Sequence, residues 1–366
     1  MRLVHLSDIH LSKDNYNEFQ NNYKDALLKD LAIYHNSIPI DLIIITGDLV
    51  DKGGHSLFEI LEFKDFKSPY DIFDKIFIDP ISDQLGIDKH KFLFIPGNHD
   101  IDEKEILLFD EKELVKNISD KNINEYLLEN KSFKHSNRIR KFKEFEQQYH
   151  LENSSYIYSP NHSTYIYENK NGCRVGFILV NDSWRCKSIK LAIENDNKHY
   201  LGVSQLYESL DYLNQNKTQL NICLLHHNLH DYKEEEEVKG ILNRKNIELF
   251  LYGHFHSTET CILYTPSGNC KGFRARAALF KPEEINSQYH SGYQILDFDL
   301  TSNFKVTAVH YRKYNHKEDS KAFISDNETA PMNGIDKNSS NSNMGFDLPR
   351  EGRENRKQYL NKDLFK

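Results

Sequence analysis

Residues 42–51 read LIIITGDLVD, in which a run of four apolar, mostly β-branched residues leads through Thr46 into a glycine and two aspartates. Such an apolar run is typical of a strand that is buried on both faces of its sheet. The GDLVD that follows lies in the loop at the carboxyl end of this strand, which is where open α/β sheets place ligands. The stretch therefore predicts both a buried strand and the position of a functional site.

The same pattern, an apolar run followed by polar side chains, occurs four more times along the chain. LVHLSDIH covers residues 3–10, FLFIPGNHD covers 92–100, ICLLHH covers 222–227 and LFLYGHFH covers 249–256. Each motif is weak by itself because DxH or HxH arises by chance in many chains. Five motifs in order, each directly after an apolar strand, are specific. The ligand candidates in them are Asp8, His10, Asp48, Asn98, His226, His254 and His256.

These seven side chains offer carboxylate and amide oxygens together with imidazole nitrogens. A mixed set of this kind suits Mn, Fe, Zn, Co or Ni better than Ca or Mg, and it lacks the thiolates of a structural zinc cage. Seven ligands are too many for one ion, but they suffice for two if one carboxylate bridges. Two ions roughly 3.5–4 Å apart can clamp the attacking and leaving oxygens of a phosphoryl centre, and a hydroxide held between them would be the nucleophile.

With all five motifs present, the sequence resembles the calcineurin-like metallophosphoesterase superfamily over about residues 1–312. The resemblance implies an α/β fold, a four-layer αββα sandwich with two central sheets, flanking helices and metals at the sheet edge. It also divides the seven ligands between two ions: Asp8, His10 and His256 for the first, Asn98, His226 and His254 for the second, and Asp48 as the bridge.

The resemblance further implies that His99 and Asp51 are catalytic. His99 in GNHD falls at the family's catalytic histidine, near the phosphate oxygens and the leaving group, and Asp51 falls at the carboxylate that pairs with it. Such a carboxylate fixes the imidazole tautomer and favours the protonated form that a general acid requires. Lys52 stands where the GDxxDRG version of the family has arginine. This removes a bidentate phosphate fork and argues against a protein phosphatase.

Outside the motifs, the composition divides the chain into segments. We predict a metallophosphoesterase domain over residues 1–312, with a Lys- and Glu-rich helical insertion at about 103–150 that either caps the site or is a solvated excursion without a role. Residues 313–349 are predicted to be a polar linker, since the Asn- and Ser-rich composition from residue 317 is typical of a linker or of disorder. Residues 350–366 regain a charged helical pattern without a stop signal, which is consistent with the start of a further domain or with a frayed terminal helix.

Charge and cysteine usage limit the partners and the compartment. The formal net charge of −8 disfavours a domain that mainly grips the phosphate backbone of nucleic acid. The five cysteines are widely spaced and include no CxxC pair, which predicts a reducing compartment. Since no signal peptide and no apolar stretch of roughly 20 residues occurs, we predict a cytoplasmic protein that does not associate with membranes.

Three neighbours of the motifs are predicted to have structural roles. His5 lies inside the first strand and is interpreted as a packed core histidine. His227 follows the proposed ligand His226; it could contact the substrate, but it is predicted either to support that ligand or to lie exposed. Arg185 could hold a phosphate, but an arginine in such a loop is more often a surface residue, and we predict that it is one.

The function predicted from these observations is hydrolysis of a phosphodiester of nucleotide type by a binuclear metal-dependent enzyme, with His99 as general acid and Mn²⁺ as the first choice of metal. The motifs are most similar to those of the bacterial cyclic-nucleotide-phosphodiesterase-like branch. The first alternative is a Mn-dependent DNA nuclease that serves as the effector module of a larger defence or signalling protein. It would act through a downstream domain or partner subunit at the C-terminal segment. The second alternative is a phosphomonoesterase.

Overall fold

The computed structural model describes residues 1–129, 133, 136–187, 199–244, 247–265, 268–279, 290–301, 305–316 and 321–337. The strands of these residues, in chain order, are β1 (Arg2–Leu6), β2 (Leu42–Thr46), β3 (Phe92–Ile95), β4 (Tyr156–Tyr158), β5 (His162–Glu168), β6 (Arg174–Val180), β7 (Leu220–Leu224), β8 (Leu249–Tyr252), β9 (Glu259–Thr265), β10 (Gly268–Arg274), β11 (Gly292–Asp299), β12 (Lys305–Asn315), β13 (Ala322–Ser325) and β14 (Ile335–Lys337).

The strands form two seven-stranded sheets. The first has the order β13-β12-β11-β1-β2-β3, with β14 also paired to β12, and the second has the order β4-β5-β6-β7-β8-β10-β9. Strands β1, β2 and β3 are parallel neighbours in the first sheet, as are β6, β7 and β8 in the second. The carboxyl ends of each parallel group therefore lie together at one edge of its sheet.

Helices cover the outer face of each sheet. In chain order, the α-helices of the described residues are α1 (Lys13–Glu18), α2 (Lys24–Ser37), α3 (Pro69–Phe73), α4 (Asp79–Leu85), α5 (Leu108–Asn117), α6 (Ile123–Glu129), α7 (Arg140–Tyr149), α8 (Ser204–Gln215) and α9 (Glu235–Arg244). A π-helical turn at Phe19–Tyr23 joins α1 to α2, so the buried apolar residues from Phe19 to Leu31 lie along one helical segment.

Strand β2 shows how the sequence builds the layers. Leu42 and Ile44 point to the apolar layer between the two sheets, where they pack with residues of β6, β7 and β8. Ile43 and Ile45 point the other way, into the layer that the first sheet shares with α2 and α4. A third apolar cluster joins the second sheet to α8 and α9. The predicted four-layer αββα sandwich is confirmed.

The helical insertion is anchored to the loop that follows β6. Helices α5 and α6 bury Leu114 and Leu127 against Trp184 and Tyr200. Beneath them Glu111, which is 1% exposed, forms ion pairs that join the insertion to this loop; its cationic partners are Arg138, Arg185 and Lys187. The predicted surface position of Arg185 is therefore wrong, because Glu111 compensates its charge inside the protein. That the insertion caps the site stays a prediction.

Replacing Glu111 by glutamine is expected to lower the free energy of unfolding by about 3 kcal/mol at pH 7. Burial raises the pKa of Glu111, but Arg138 and Arg185 outweigh it and lower the pKa from 4.5 to about 2. Because the folded pKa is depressed, the stabilisation is complete above pH 4.5 and is lost as the pH falls towards 2. Urea unfolding at pH 7 and pH 3 should show the difference from wild type shrinking at the lower pH.

Glu113→Gln is the matched control for this substitution, since Glu113 lies on the same helix α5 and is exposed. It should leave the free energy of unfolding within about 0.5 kcal/mol of wild type. If both variants lose the same free energy of unfolding, or if the loss in Glu111→Gln does not depend on pH, the result would contradict the buried ion-pair cluster.

The predicted linker does not begin at residue 313. Strand β12 continues to Asn315, and β13 and β14 both pair with it. The segment that contains β13 and β14 buries few apolar side chains, among them Phe323 and Ala330. It is also held by a polar contact, in which Asp326 Oδ2 accepts a hydrogen bond of 2.6 Å from Arg276. Polar composition alone therefore gave the wrong prediction for residues 313–316 and 321–337. The remainder of the linker and the C-terminal segment 350–366 lie outside the described residues.

Among the described residues no helix combines the length and the apolar character that crossing a bilayer requires. The cytoplasmic location stays a prediction.

Candidate metal centre

The two sheets bring all five motifs to one edge of the sandwich. Three motifs follow β1, β2 and β3, and two follow β7 and β8, so the carboxyl ends of both parallel groups meet there. Hydrogen bonds to backbone groups are among the contacts that cross between the sheets. The backbone N–H of His254 donates to Asp8 Oδ2 at 3.0 Å, and His226 Nδ1 donates to the carbonyl oxygen of Thr46 at 2.7 Å. All seven predicted ligands therefore lie in one cluster.

Asp8, His10 and His256 form the first group of possible ligands. The Nε2 atoms of His10 and His256 are 3.2 Å apart, and Asp8 Oδ1 lies 3.5 Å from His256 Nε2 and 3.8 Å from His10 Nε2. Two imidazole nitrogens that bind one ion at about 2.0–2.1 Å are about 2.9–3.4 Å apart for angles between 90° and tetrahedral. The spacing of His10 and His256 is thus that of two ligands of one ion.

Asn98, His226 and His254 form the second group. Asn98 Oδ1 lies 2.9 Å from His226 Nε2 and 2.9 Å from His254 Nδ1. Since Nδ1 of His226 donates to the carbonyl of Thr46, the lone pair of this ring is on Nε2, which faces the group. A backbone carbonyl in this position is the usual means of fixing the tautomer of a metal-binding histidine.

Asp48 lies between the two groups. Its Oδ2 is 3.5 Å from His10 Nε2 and 3.4 Å from His226 Nε2, and its Oδ1 accepts the backbone N–H of His99 at 2.7 Å. One carboxylate oxygen thus faces both groups, and the amide of His99 fixes the orientation of the carboxylate. This is the position that a bridging ligand needs.

The buried carboxylates at this edge test whether divalent cations fit the cluster. Asp8 and Asp48 are almost fully buried, and Asp8 Oδ1 has no hydrogen-bond partner among the described residues. Burial raises the pKa of Asp48, yet the imidazoles of His226 and His10 hold it well below its ordinary value. Two ionised carboxylates this close are costly to bury unless cations compensate them. The donor atoms and the burial both fit a pair of divalent ions.

The backbone is strained at five of the seven positions. These residues have a positive φ between 49° and 75°, and they are Asp8, His10, Asp48, His254 and His256. A left-handed conformation costs a non-glycine residue on the order of 1–2 kcal/mol, and such strain concentrates at functional sites. The strain is compatible with a fold in which each motif turns sharply so that its side chain reaches the shared centre.

Two glycines let the motifs approach one another. A Cβ on Gly97 would lie 2.2 Å from Asp48 Oδ1, and Gly47, with φ of 92°, would place a Cβ 2.3 Å from His226 Nδ1. Any side chain at either position would displace a predicted ligand. The glycine in GNHD and the glycine in GDLVD are therefore required by close packing around Asp48 and His226.

The predicted catalytic pair forms a short hydrogen bond at the solvent side of the cluster. His99 Nδ1 lies 2.6 Å from Asp51 Oδ1, and the ring of His99 meets the ring of His10 edge-on with 4.4 Å between centroids. Burial lowers the pKa of His99, but the hydrogen bond with Asp51 and the charge of Asp48 raise it above its ordinary value overall. About a third of the side chain is exposed, so a substrate can reach it.

Asp182 and Asp100 hold the motifs in place, and no role for either was predicted from the sequence. Asp182 Oδ2 accepts the backbone N–H groups of His226 and His227, each at 2.9 Å. Asp100 accepts the N–H groups of Leu49, Val50 and Gly97, which ties the GDLVD loop to the GNHD loop. The available signal was position: Asp100 is the last residue of the GNHD motif, and Asp182 follows directly after the apolar strand β6.

The remaining predictions concern residues that lie near the ligand candidates in the sequence. His5 is fully buried between Thr46 and Gln294 and is the core histidine that was predicted. His227 is buried as well, 3.4 Å from Asp182, so the exposed alternative is wrong. Lys52, in the position of the phosphatase arginine, is largely exposed and lies 3.6 Å from Asp51.

An αββα sandwich that gathers oxygen and imidazole ligands around one shared carboxylate defines a metallophosphoesterase. Comparison with known families agrees: the chain belongs to the calcineurin-like phosphoesterase family, whose model matches residues 1–258. A curated relative, the uncharacterized metallophosphoesterase-like protein YydB of Bacillus subtilis, is 24% identical over 302 residues. That match covers 80% of this chain, and the chain spans 56% of the length of the relative.

Several solved structures can be aligned with this chain. The calcineurin-like phosphoesterase YfkN of Bacillus subtilis aligns with a TM-score of 0.43 and 14% identity over 99% of both chains. A dimetal phosphatase from Danio rerio aligns with a TM-score of 0.41 and 13% identity, over 85% of this chain and 95% of that one. The NAD nucleotidase of Haemophilus influenzae has a TM-score of 0.44 and 12% identity, over 89% of this chain and 53% of its own.

Proposed function

We propose that this chain is a binuclear metal-dependent phosphodiesterase that acts on a nucleotide-type substrate. The observation that carries the proposal is the position of Asp48, whose Oδ2 faces His10 of one ligand group and His226 of the other. Two divalent ions bound there, with Mn²⁺ the first choice and Fe, Zn, Co or Ni as alternatives, supply an activated water nucleophile and electrostatic stabilisation of the phosphoryl oxygens.

His99 and Asp51 provide the proton chemistry in this proposal. Because Asp51 engages Nδ1 of His99, Nε2 is the ring atom from which a proton can pass to the leaving oxygen. Asp51 and Asp48 outweigh burial and raise the pKa of His99, which favours the protonated ring that a general acid needs. Asp51 acts by positioning the imidazole and by stabilising its charged form.

An exposed aromatic residue beside the ligands favours a nucleotide-type substrate. Phe255 lies between the ligand candidates His254 and His256, is 43% exposed, and carries the Arg274 guanidinium 5.2 Å from its ring centroid. Exposed aromatic rings with a neighbouring arginine are the usual stacking surfaces for bases of single-stranded nucleic acids and nucleotides. The position of this ring between two ligand candidates, rather than its exposure alone, is what supports base stacking.

The charge of the site favours a diester over a monoester. A terminal phosphate dianion is best held by a planar, bidentate arginine, and the family position for that residue carries Lys52, which lies exposed. Two buried cations, Arg138 of the insertion and Arg185 of the loop after β6, are paired with Glu111. A diester monoanion needs less positive charge beyond the two ions.

The test is hydrolysis of bis-p-nitrophenyl phosphate and of p-nitrophenyl phosphate by chelator-treated protein reloaded with Mn²⁺. We expect kcat/KM for the diester to exceed that for the monoester by at least about tenfold, or about 1.4 kcal/mol. A preference for the monoester would replace the proposal by the phosphomonoesterase alternative. Linear DNA and a cyclic nucleotide, tested next, separate the nuclease alternative from a small-molecule phosphodiesterase. The involvement of a downstream domain or partner subunit stays a separate proposal.

A further inference from the structure

A second group of side chains that could hold a metal ion lies beside the candidate centre and shares none of its seven ligand candidates. Cys186 is in the loop after β6, His227 follows β7, and His199 precedes α8. One donor atom from each lies within 4.8 Å of the other two, and Cys186 Sγ is 3.7 Å from His227 Nε2. The rings of His199 and His227 are 4.5 Å apart between centroids.

The spacing of these atoms is close to that of ligands on one tetrahedral ion. Zinc binds sulfur at about 2.3 Å and imidazole nitrogen at about 2.0–2.1 Å, which puts the two donor atoms about 3.5 Å apart. The 3.7 Å between Cys186 Sγ and His227 Nε2 differs from this by a few tenths of an ångström. Small side-chain rotations can bring the remaining pairs, now within 4.8 Å, to the same distance.

The surroundings of both histidine rings fit a metal site. The Nε2 atom of His199 is buried and has no hydrogen-bond partner within the described part of the chain. On the other ring, His227 Nδ1 faces Asp182 Oδ2 at 3.4 Å, which leaves Nε2 to point at the cluster. A carboxylate behind a histidine is the arrangement that orients metal-binding imidazoles. The backbone amides of His226 and His227 hold Asp182 in that position.

We propose that Cys186, His199 and His227 bind a third divalent ion. One thiolate with two imidazoles is a borderline-soft set that selects zinc, whereas the seven oxygen and nitrogen ligands of the neighbouring centre contain no sulfur. The three protein ligands leave a fourth position for water or a substrate oxygen. The site adjoins the second ligand group, since the ring centroids of His227 and His254 are 4.6 Å apart.

Cobalt absorption spectroscopy tests this proposal, because a thiolate bound to Co²⁺ gives a ligand-to-metal charge-transfer band in the near ultraviolet that oxygen and nitrogen ligands do not give. Apoprotein titrated with Co²⁺ is expected to show the band. Cys186→Ser should lack it and should bind one ion fewer per chain by elemental analysis. Cys261→Ser is the matched control, because Cys261 is a partly exposed free thiol on β9, and it should keep both the band and the stoichiometry.

Two more variants keep the test decisive. His199→Ala should weaken the Co²⁺ binding that is followed by the charge-transfer band by at least about tenfold. This variant takes the place of Cys186→Ser in the test if Cys186→Ser does not fold. Asp48→Asn should keep the band, so a failed phosphodiesterase proposal and a failed third site give different results. A wild-type protein that takes up Co²⁺ without the band, or a band that persists in Cys186→Ser, would overturn the third site.

Discussion

Replacing Asp48 by asparagine is expected to lower kcat for bis-p-nitrophenyl phosphate by roughly 10³-fold or more. Asp48 Oδ2 faces His10 and His226 at 3.5 and 3.4 Å, so the change removes the one negative charge that both ligand groups share. Loss of about 4 kcal/mol of transition-state stabilisation corresponds to this factor, and metal-ion catalysis supplies several kcal/mol. The measurement is steady-state hydrolysis at saturating Mn²⁺, with the metal content determined on the same samples.

Asp41→Asn is the matched control, because Asp41 lies next to the opposite end of the same strand. Its carboxylate accepts hydrogen bonds from the backbone of Arg2 and from the hydroxyl of Tyr167, far from the motif edge. This variant should retain activity within a few-fold of wild type. If Asp48→Asn, with a native circular-dichroism spectrum, also stays within a few-fold, Asp48 is not the bridge.

Replacing His99 by asparagine is expected to lower kcat/KM by about 10²–10⁴-fold for a diester with a nucleoside leaving group. An alkoxide is a poor leaving group and needs the proton that His99, held by Asp51, can give. p-Nitrophenolate leaves without much protonation, so the loss for bis-p-nitrophenyl phosphate should be clearly smaller. The comparison of the two substrates in the same variant separates proton donation from a general loss of structure.

His90→Asn serves as the control for the His99 substitution. His90 lies just before β3, at the end opposite to the GNHD motif, and its ring is partly exposed. Both substrates should be hydrolysed by this variant at close to the wild-type rate. An equal fall for both leaving groups in His99→Asn would assign His99 to substrate binding or metal support rather than to acid catalysis.

The parts of the fold that were predicted correctly are those in which local sequence and global packing agree. Strand β2 has four consecutive apolar residues because it is covered on both faces, and Leu42 to Ile45 alternate between two buried layers. The motifs follow such strands directly, so the edge where they meet follows from strand direction alone. The seven ligand candidates were predicted for the same reason, and the structure brings them together.

Other features depend on partners that are distant in sequence. Arg185 is buried because Glu111 lies more than 70 residues earlier in the chain and compensates its charge, which no local pattern shows. Strands β13 and β14 have few apolar residues and form because β12 offers them an edge. Asp182 resembles an ordinary turn residue until β6 and β7 are known to be parallel neighbours.

The site of Cys186, His199 and His227 was missed for a similar reason. The three residues belong to different loops and show no CxxC or HxH spacing. Cys186 lies next to His227 because β6 pairs with β7, and His199 comes close to both residues only in the folded chain. Motif spacing reveals ligands that share a loop, whereas each of these three residues comes from a different loop.

The most direct test of the binuclear centre is the electron paramagnetic resonance spectrum of protein loaded with Mn²⁺. Two Mn²⁺ ions that share the carboxylate of Asp48 are magnetically coupled, so the wild type should give an exchange-coupled spectrum as the second equivalent of Mn²⁺ is added. A wild-type spectrum that shows only the hyperfine pattern of isolated, uncoupled ions at every loading would contradict a centre in which Asp48 joins two metals.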